Sequence, residues 1–62
     1  MDIPKTVKLM IDGREVLGII EKKTSLNTFY LVTFDYEGKK EGVCLNVNIV
    51  DECINKNIPY YV

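Results

Sequence analysis

The chain has 62 residues, with eight Lys and Arg against nine Asp and Glu, no histidine, a formal charge of −1 and a pI near 5.2. That length allows one domain, and such a domain buries only about 60% of the surface its unfolded chain exposes. The 47% of apolar residues argues against disorder, while the charge balance lacks the clustered basic surplus usual in a nucleic-acid binder.

Residues 1–5 read as a frayed lead-in ahead of the ordered domain, with Pro4 discouraging regular structure. From Thr6 the chain alternates: Val7, Leu9 and Ile11 point one way, Lys8 and Met10 the other. Asp12-Gly13 follows at once, a strong signal for a tight hairpin turn. The return run Arg14–Glu21 is apolar on both sides, with Val16 and Ile20 on one face and Leu17 and Ile19 on the other. Gly18 sits mid-run, where a strongly bent barrel strand often places a glycine. Lys22–Asn27 is polar and reads as a loop, with Leu26 expected to tuck inward.

Thr28–Val47 is the stretch around which the chain is organised. Tyr30, Val32, Phe34 and Tyr36 share one face, and Phe29, Leu31, Thr33 and Asp35 the other. In the return arm Val43, Leu45 and Val47 oppose Cys44, Asn46 and Asn48. A turn within Tyr36–Lys40 brings the Phe34 and Leu45 faces together as a core, with Gly38 supplying positive φ. Gly42 is expected to mark a bulge or a bend. Beyond it, Asn48 with Asp51 resembles a capping box, acidic Asp51 and Glu52 suit a first turn, and Ile49/Cys53 and Val50/Ile54 form an apolar stripe. This predicts a helix of about two turns, stopped by Asn57 and Pro59. Residues 58–62 can add a last edge strand, since Pro59 lacks the donor that a central strand needs. The fold class is therefore all-β, mainly β with one short helix near the C-terminus. It is a small five-stranded SH3-like barrel built from two hairpins, with residues 1–62 forming a single domain.

At fold level this order of elements resembles the seven-kilodalton SH3-like chromatin proteins of archaea. Thr6-Val7-Lys8, Gly13-Arg14-Glu15 and Thr33-Phe34-Asp35-Tyr36-Glu37-Gly38-Lys39 are the words that carry the likeness. The resemblance implies a DNA-coating sheet face that wedges apolar side chains and a tryptophan into the minor groove. Here that face would carry Leu31, Thr33, Asp35, Cys44 and Asn46, with no tryptophan and no basic residue, so DNA coating does not carry over. Chromodomain and Tudor barrels are looser relatives in architecture, but Tyr30, Tyr36, Tyr60 and Tyr61 do not assemble into an aromatic cage from sequence alone.

Catalysis is not expected. Histidine, the commonest general base, is missing, and Ser25 lies in a loop without a neighbouring base. Asp35, Glu37 and Glu41 crowd a charged hairpin tip that lacks calcium-loop spacing. Cys44 and Cys53 without histidine do not complete a usual zinc site. They read as reduced, buried thiols, with a disulfide as the alternative. No metal and no cofactor is expected. No apolar run reaches the ~20 residues of a membrane span, and the first residues lack a signal-peptide layout, so the expectation is a cytoplasmic protein.

Two binding functions follow. The first is a protein–protein interaction module (adaptor, inhibitor or subunit) or a self-associating chain, using Phe29, Leu31, Cys44, Tyr60 and Tyr61. The second is weak nucleic-acid binding through Arg14, Lys22, Lys23, Tyr36, Lys39 and Lys40, with the two lysine pairs converging in space. Net charge disfavours the second.

Overall fold

A computed structural model describes residues 5–62. Five strands form one curled sheet in the order β4-β3-β2-β1-β5: β1 (Thr6–Ile11), β2 (Arg14–Lys23), β3 (Phe29–Tyr36), β4 (Lys39–Asn46) and β5 (Tyr60–Tyr61). One helix, α1 (Val47–Lys56), joins β4 to β5. The mainly β half-barrel with a short C-terminal helix is the fold class expected from the alternation.

Both hairpins close through two-residue turns with positive φ at both central positions: Asp12 (+50°) with Gly13 (+78°), and Glu37 (+50°) with Gly38 (+77°). This is the primed-turn geometry whose twist matches the flanking strands. The second turn is tighter than Tyr36–Lys40, because Tyr36 and Lys39 already pair and Lys39 and Lys40 belong to β4. β1 and β2 pair from Ile11–Arg14 to Thr6–Ile19. The Lys5 carbonyl then accepts the Ile20 N–H at 2.9 Å, so Lys5 extends the ladder and does not fray; residues 1–4 of the expected lead-in lie outside the described residues.

Three further expectations are corrected. The ladder between β2 and β3 shifts register between Ile20 and Lys22, whereas β3–β4 pairing runs unbroken past Gly42. The irregularity thus lies at Glu21, not at Gly42. Its effect is a change of phase: Ile20 pairs with Val32 and Lys23 with Tyr30, which places Lys23 on the core side. β2 also continues through Lys22 and Lys23, which are strand residues and not loop. Leu26 is 84% exposed, because the loop closes on itself through Thr24 and Phe29 and presents no cavity for a plug.

The inner face carries the core. Val7, Leu9, Tyr30, Val32 and Leu45 from the strands meet Val47, Val50 and Cys53 from α1, with Phe34, Val43, Ile11, Ile20, Ile54 and Tyr60 at its margin. Gly18 has a packing role: a Cβ there would sit 2.7 Å from Val32 Cγ1 and 2.9 Å from Leu9 Cδ1. The missing side chain lets β1 and β3 residues fill the space over β2.

The helix begins two residues earlier than the capping-box reading placed it. Asn46 is the N-cap, its Oδ1 accepting N–H bonds from Asn48 (2.9 Å) and Ile49 (3.2 Å), and no acidic residue lies in the first turn. At ten residues the helix makes nearly three turns, because cap and strand end coincide at Asn46. Its C-terminal end is as expected: Asn57 takes left-handed φ (+57°), and the Asn57 N–H reaches the Ile54 carbonyl at 3.2 Å. Lys8 Nζ donates to Asn57 Oδ1 at 3.0 Å, tying β1 to that cap. After Pro59 the chain returns as β5, parallel to β1, with Leu9 beside Tyr60 and Met10 beside Tyr61. Among the described residues no helix is long and apolar enough to cross a membrane.

Candidate functional site: two separate surfaces

Because α1 packs on the inner face, the outer face of β2–β4 has, among the described residues, no covering element. Leu17 is 60%, Ile19 37% and Phe29 41% exposed; Cys44 is exposed and Leu31 half-buried. Cross-strand pairing makes part of this set neighbours: Leu31 faces Cys44, Ile19 faces Thr33, and Thr33 faces Gly42. Leu17 pairs instead with Lys8 of β1 and lines a small pocket with Ile54, Asn57 and Ile58 near the end of α1. Thr33 donates its hydroxyl to Glu21 Oε2 at 2.7 Å, a polar contact beside the patch. This face does carry cations, contrary to the expectation of none: Lys22 pairs opposite Leu31 and Lys40 opposite Asp35, since both lysines belong to strands. Cys53 is buried as expected, whereas Cys44 is exposed because even-numbered positions of β4 face outward; both thiols are free.

Tyr60 and Tyr61 occupy a different surface. They lie on β5, at the sheet edge opposite β4, and line a groove of about 650 Å³ with Ile49, Glu52, Cys53, Ile58 and Pro59. Tyr60 is half-buried against the core, while Tyr61 is 74% exposed. The two parts of the expected protein-binding surface, the outer sheet face (Phe29, Leu31, Cys44) and the tyrosine tail (Tyr60, Tyr61), thus lie on separate sides of the molecule. Ile49 and Ile58 belong with the tyrosine tail and were missed as surface residues. Ile49 sits in an i,i+4 apolar stripe that resembles core until the position of the helix is known.

The cationic positions separate as well. Lys23 pairs with Tyr30 and Lys22 with Leu31, whereas Lys39 pairs with Tyr36 and Lys40 with Asp35. Six residue steps along one strand, about 20 Å, separate Tyr30 from Tyr36, so the lysine pairs stand at opposite ends of β3 and do not converge. Arg14 does reach Tyr36, with its guanidinium carbon 5.7 Å from the ring centroid, and Lys23 Nζ stands 5.6 Å from the Tyr30 centroid. Each tyrosine hydroxyl also donates to a carboxylate: Tyr30 to Asp51 Oδ1 at 2.8 Å and Tyr36 to Asp12 Oδ2 at 3.0 Å. The hydrogen bond to Asp51 raises the Tyr30 pKa, with burial and the carboxylate charge adding to it. Tyr36 is raised mainly by its bond to Asp12, with Arg14 pulling the other way. Both rings are thereby engaged within the fold, which leaves less aromatic surface for base stacking.

Among the described residues no group of three or more Cys, Asp or Glu is placed to hold a metal ion. Comparison with known proteins finds no matching family model, no matching curated protein and no matching solved structure. The structure itself establishes a small, mainly β chain whose curled five-stranded sheet is barrel-like.

Proposed function

We propose that this chain is a non-enzymatic protein-interaction module, an adaptor, inhibitor or subunit, that docks through the outer face of β2–β4. The observation that carries this reading is the apolar group Ile19, Leu31 and Phe29, with Leu17 at its β1 side, exposed or half-buried on the face turned away from the core. Apolar side chains grouped on one face and rimmed by charge are typical of protein interfaces. Lys22 and Lys40 stand at the rim, together with Glu21 and Asp35. Mixed signs of this kind suit a protein partner better than a polyanion. Tyr60 and Tyr61 with their groove form a second, smaller contact surface of the same module. The likeness to archaeal chromatin proteins is, on this reading, one of barrel architecture and not of DNA coating.

Affinity capture with tagged protein, with and without nuclease, tests the reading when wild type is compared with Leu17→Glu. At 60% exposure Leu17 tolerates the charge without loss of fold, which a matching thermal melt verifies. A stoichiometric protein partner that survives nuclease and is lost with Leu17→Glu supports the reading. Recovery that needs nucleic acid, disappears at raised salt and is abolished by Lys39→Glu/Lys40→Glu overturns it in favour of phosphate binding.

A further inference from the structure

The two edges of the sheet are built differently. β5 is two residues long, follows Pro59 and is flanked by α1, a combination that limits further strand pairing. β4 is eight residues long, contains no proline and, among the described residues, has no partner on its far side. The two-residue turn sets the direction of its backbone groups. Lys39, Glu41, Val43 and Leu45 bond to β3, and the Val47 N–H continues that row to the Thr28 carbonyl at 3.0 Å. The N–H and C=O groups of Lys40, Gly42 and Cys44 therefore point away from the sheet.

Gly42, in the centre of that edge, is unexplained by the fold. Its φ is not positive, the register around it is unbroken, and a Cβ built on it would meet only Leu31 Cδ1 at 3.9 Å and the Val32 carbonyl at 4.0 Å. Any side chain would fit, yet glycine weakens a strand, and a strand glycine without a bulge or bend often marks close approach of another backbone. The order of charges along β4 then selects the occupant. Lys39, Lys40 and Glu41 fill one half, while Gly42, Val43, Cys44 and Leu45 are uncharged.

The geometry points to a second copy of this chain, pairing β4 to β4 antiparallel about a two-fold axis at Gly42. In that register Lys40 lies opposite Cys44 of the other copy and Glu41 opposite Val43, so no like charges are directly opposed. Parallel pairing would set Lys40 beside Lys40. Lys40–Cys44, Gly42–Gly42 and Cys44–Lys40 become hydrogen-bonded pairs, about six bonds in all, and two curled sheets become one continuous sheet. One edge strand buries well under the ~1,200 Å² of a stable interface, so the dimer is a weak one that exchanges with monomer. This interface is independent of the outer-face reading, which survives if the dimer fails.

Sedimentation equilibrium under reducing conditions, from micromolar to millimolar chain, combined with amide exchange by NMR, tests it. The expected result is a concentration-dependent doubling of mass, with the Lys40, Gly42 and Cys44 amides slowing in parallel. Cys44→Glu, which places a carboxylate opposite Lys40, should strengthen the dimer, and Cys44→Lys should weaken it. Gly42→Pro, which removes an outward N–H that the monomer does not use, should abolish it. A monomer at every concentration overturns the proposal. So does a dimer that responds equally to both Cys44 charges, or one that persists with those three amides still exchanging freely.

Discussion

The two ends of β3 carry the same three-part arrangement in different surroundings. At one end Tyr30 has Lys23 over its ring and Asp51 on its hydroxyl; at the other Tyr36 has Arg14 and Asp12. Distances differ by no more than 0.2 Å between the ends (2.8 against 3.0 Å, 5.6 against 5.7 Å). Tyr30, however, is 5% exposed and its partner comes from α1, so its contact joins helix to sheet. Tyr36 is half-exposed, and its contact joins one hairpin tip to the other across water. Equal geometry therefore does not mean equal stabilisation, because burial sets how much of each interaction survives competition from solvent.

Removing the rings should separate the two ends most. Tyr30→Ala opens a cavity beneath α1 and is expected to cost about 3–5 kcal/mol, enough to unfold much of so small a domain. Tyr36→Ala should leave the chain folded, and urea titration of both variants checks the contrast. Comparable losses would mean that the hairpin tips are as important to the fold as the core.

Deleting only the hydroxyls narrows the question to the hydrogen bond. Tyr30→Phe should cost about 1 kcal/mol, since the Asp51 carboxylate can turn to solvent while the ring stays packed. Tyr36→Phe should cost less, and the difference is read from the same denaturant midpoints.

Alkaline pH examines the pair from the side of the proton. Both tyrosines titrate above their ordinary value of 10.0, so the folded state holds these protons more tightly than the unfolded chain does. Their contribution is complete below pH 10 and is lost as pH rises through the folded-state values. Stability measured upward from pH 9 should fall, and Tyr30→Phe should flatten the fall more than Tyr36→Phe. An unchanged slope in both variants would place the alkaline transition in other groups.

The cations are the smallest lever. Lys23→Ala and Arg14→Ala should each cost on the order of 0.5–1 kcal/mol, as expected for an exposed cation over an aromatic ring. Thermal melts at low and high salt compare them, and the Lys23 variant should show the larger shift because its ring is the more desolvated.

Much of the fold is written locally. Asp12-Gly13 specifies the first turn and Gly38 supplies one positive φ of the second, whose two-residue length and positive φ at Glu37 the chain does not announce; the alternation on either side sets the register. Once Val7, Leu9, Tyr30, Val32 and Leu45 are assigned to one face, Leu17, Ile19, Leu31, Phe29 and Cys44 must take the other, and the structure agrees. Asn57 and Pro59 likewise end the helix for reasons contained in their own backbones.

What depends on distant neighbours was not legible. The shift at Glu21 falls inside the ten-residue β2, after Ile20 has paired with Val32, and no local word announces it. It alone carries Lys23 to the core side and onto Tyr30. Asn46 outcompetes Asn48 as the cap because β3–β4 pairing ends there and Val47 is drawn into the core. The division of the surface residues, with Phe29, Leu31 and Cys44 on one side and Tyr60 and Tyr61 on the other, follows from the parallel docking of β5 on β1. Turn chemistry and periodicity act over two to four residues and are therefore readable from the chain alone. Strand order, bulges and the exposure of a face are settled only when residues as far apart in the chain as Leu9 and Tyr60 compete for the same core.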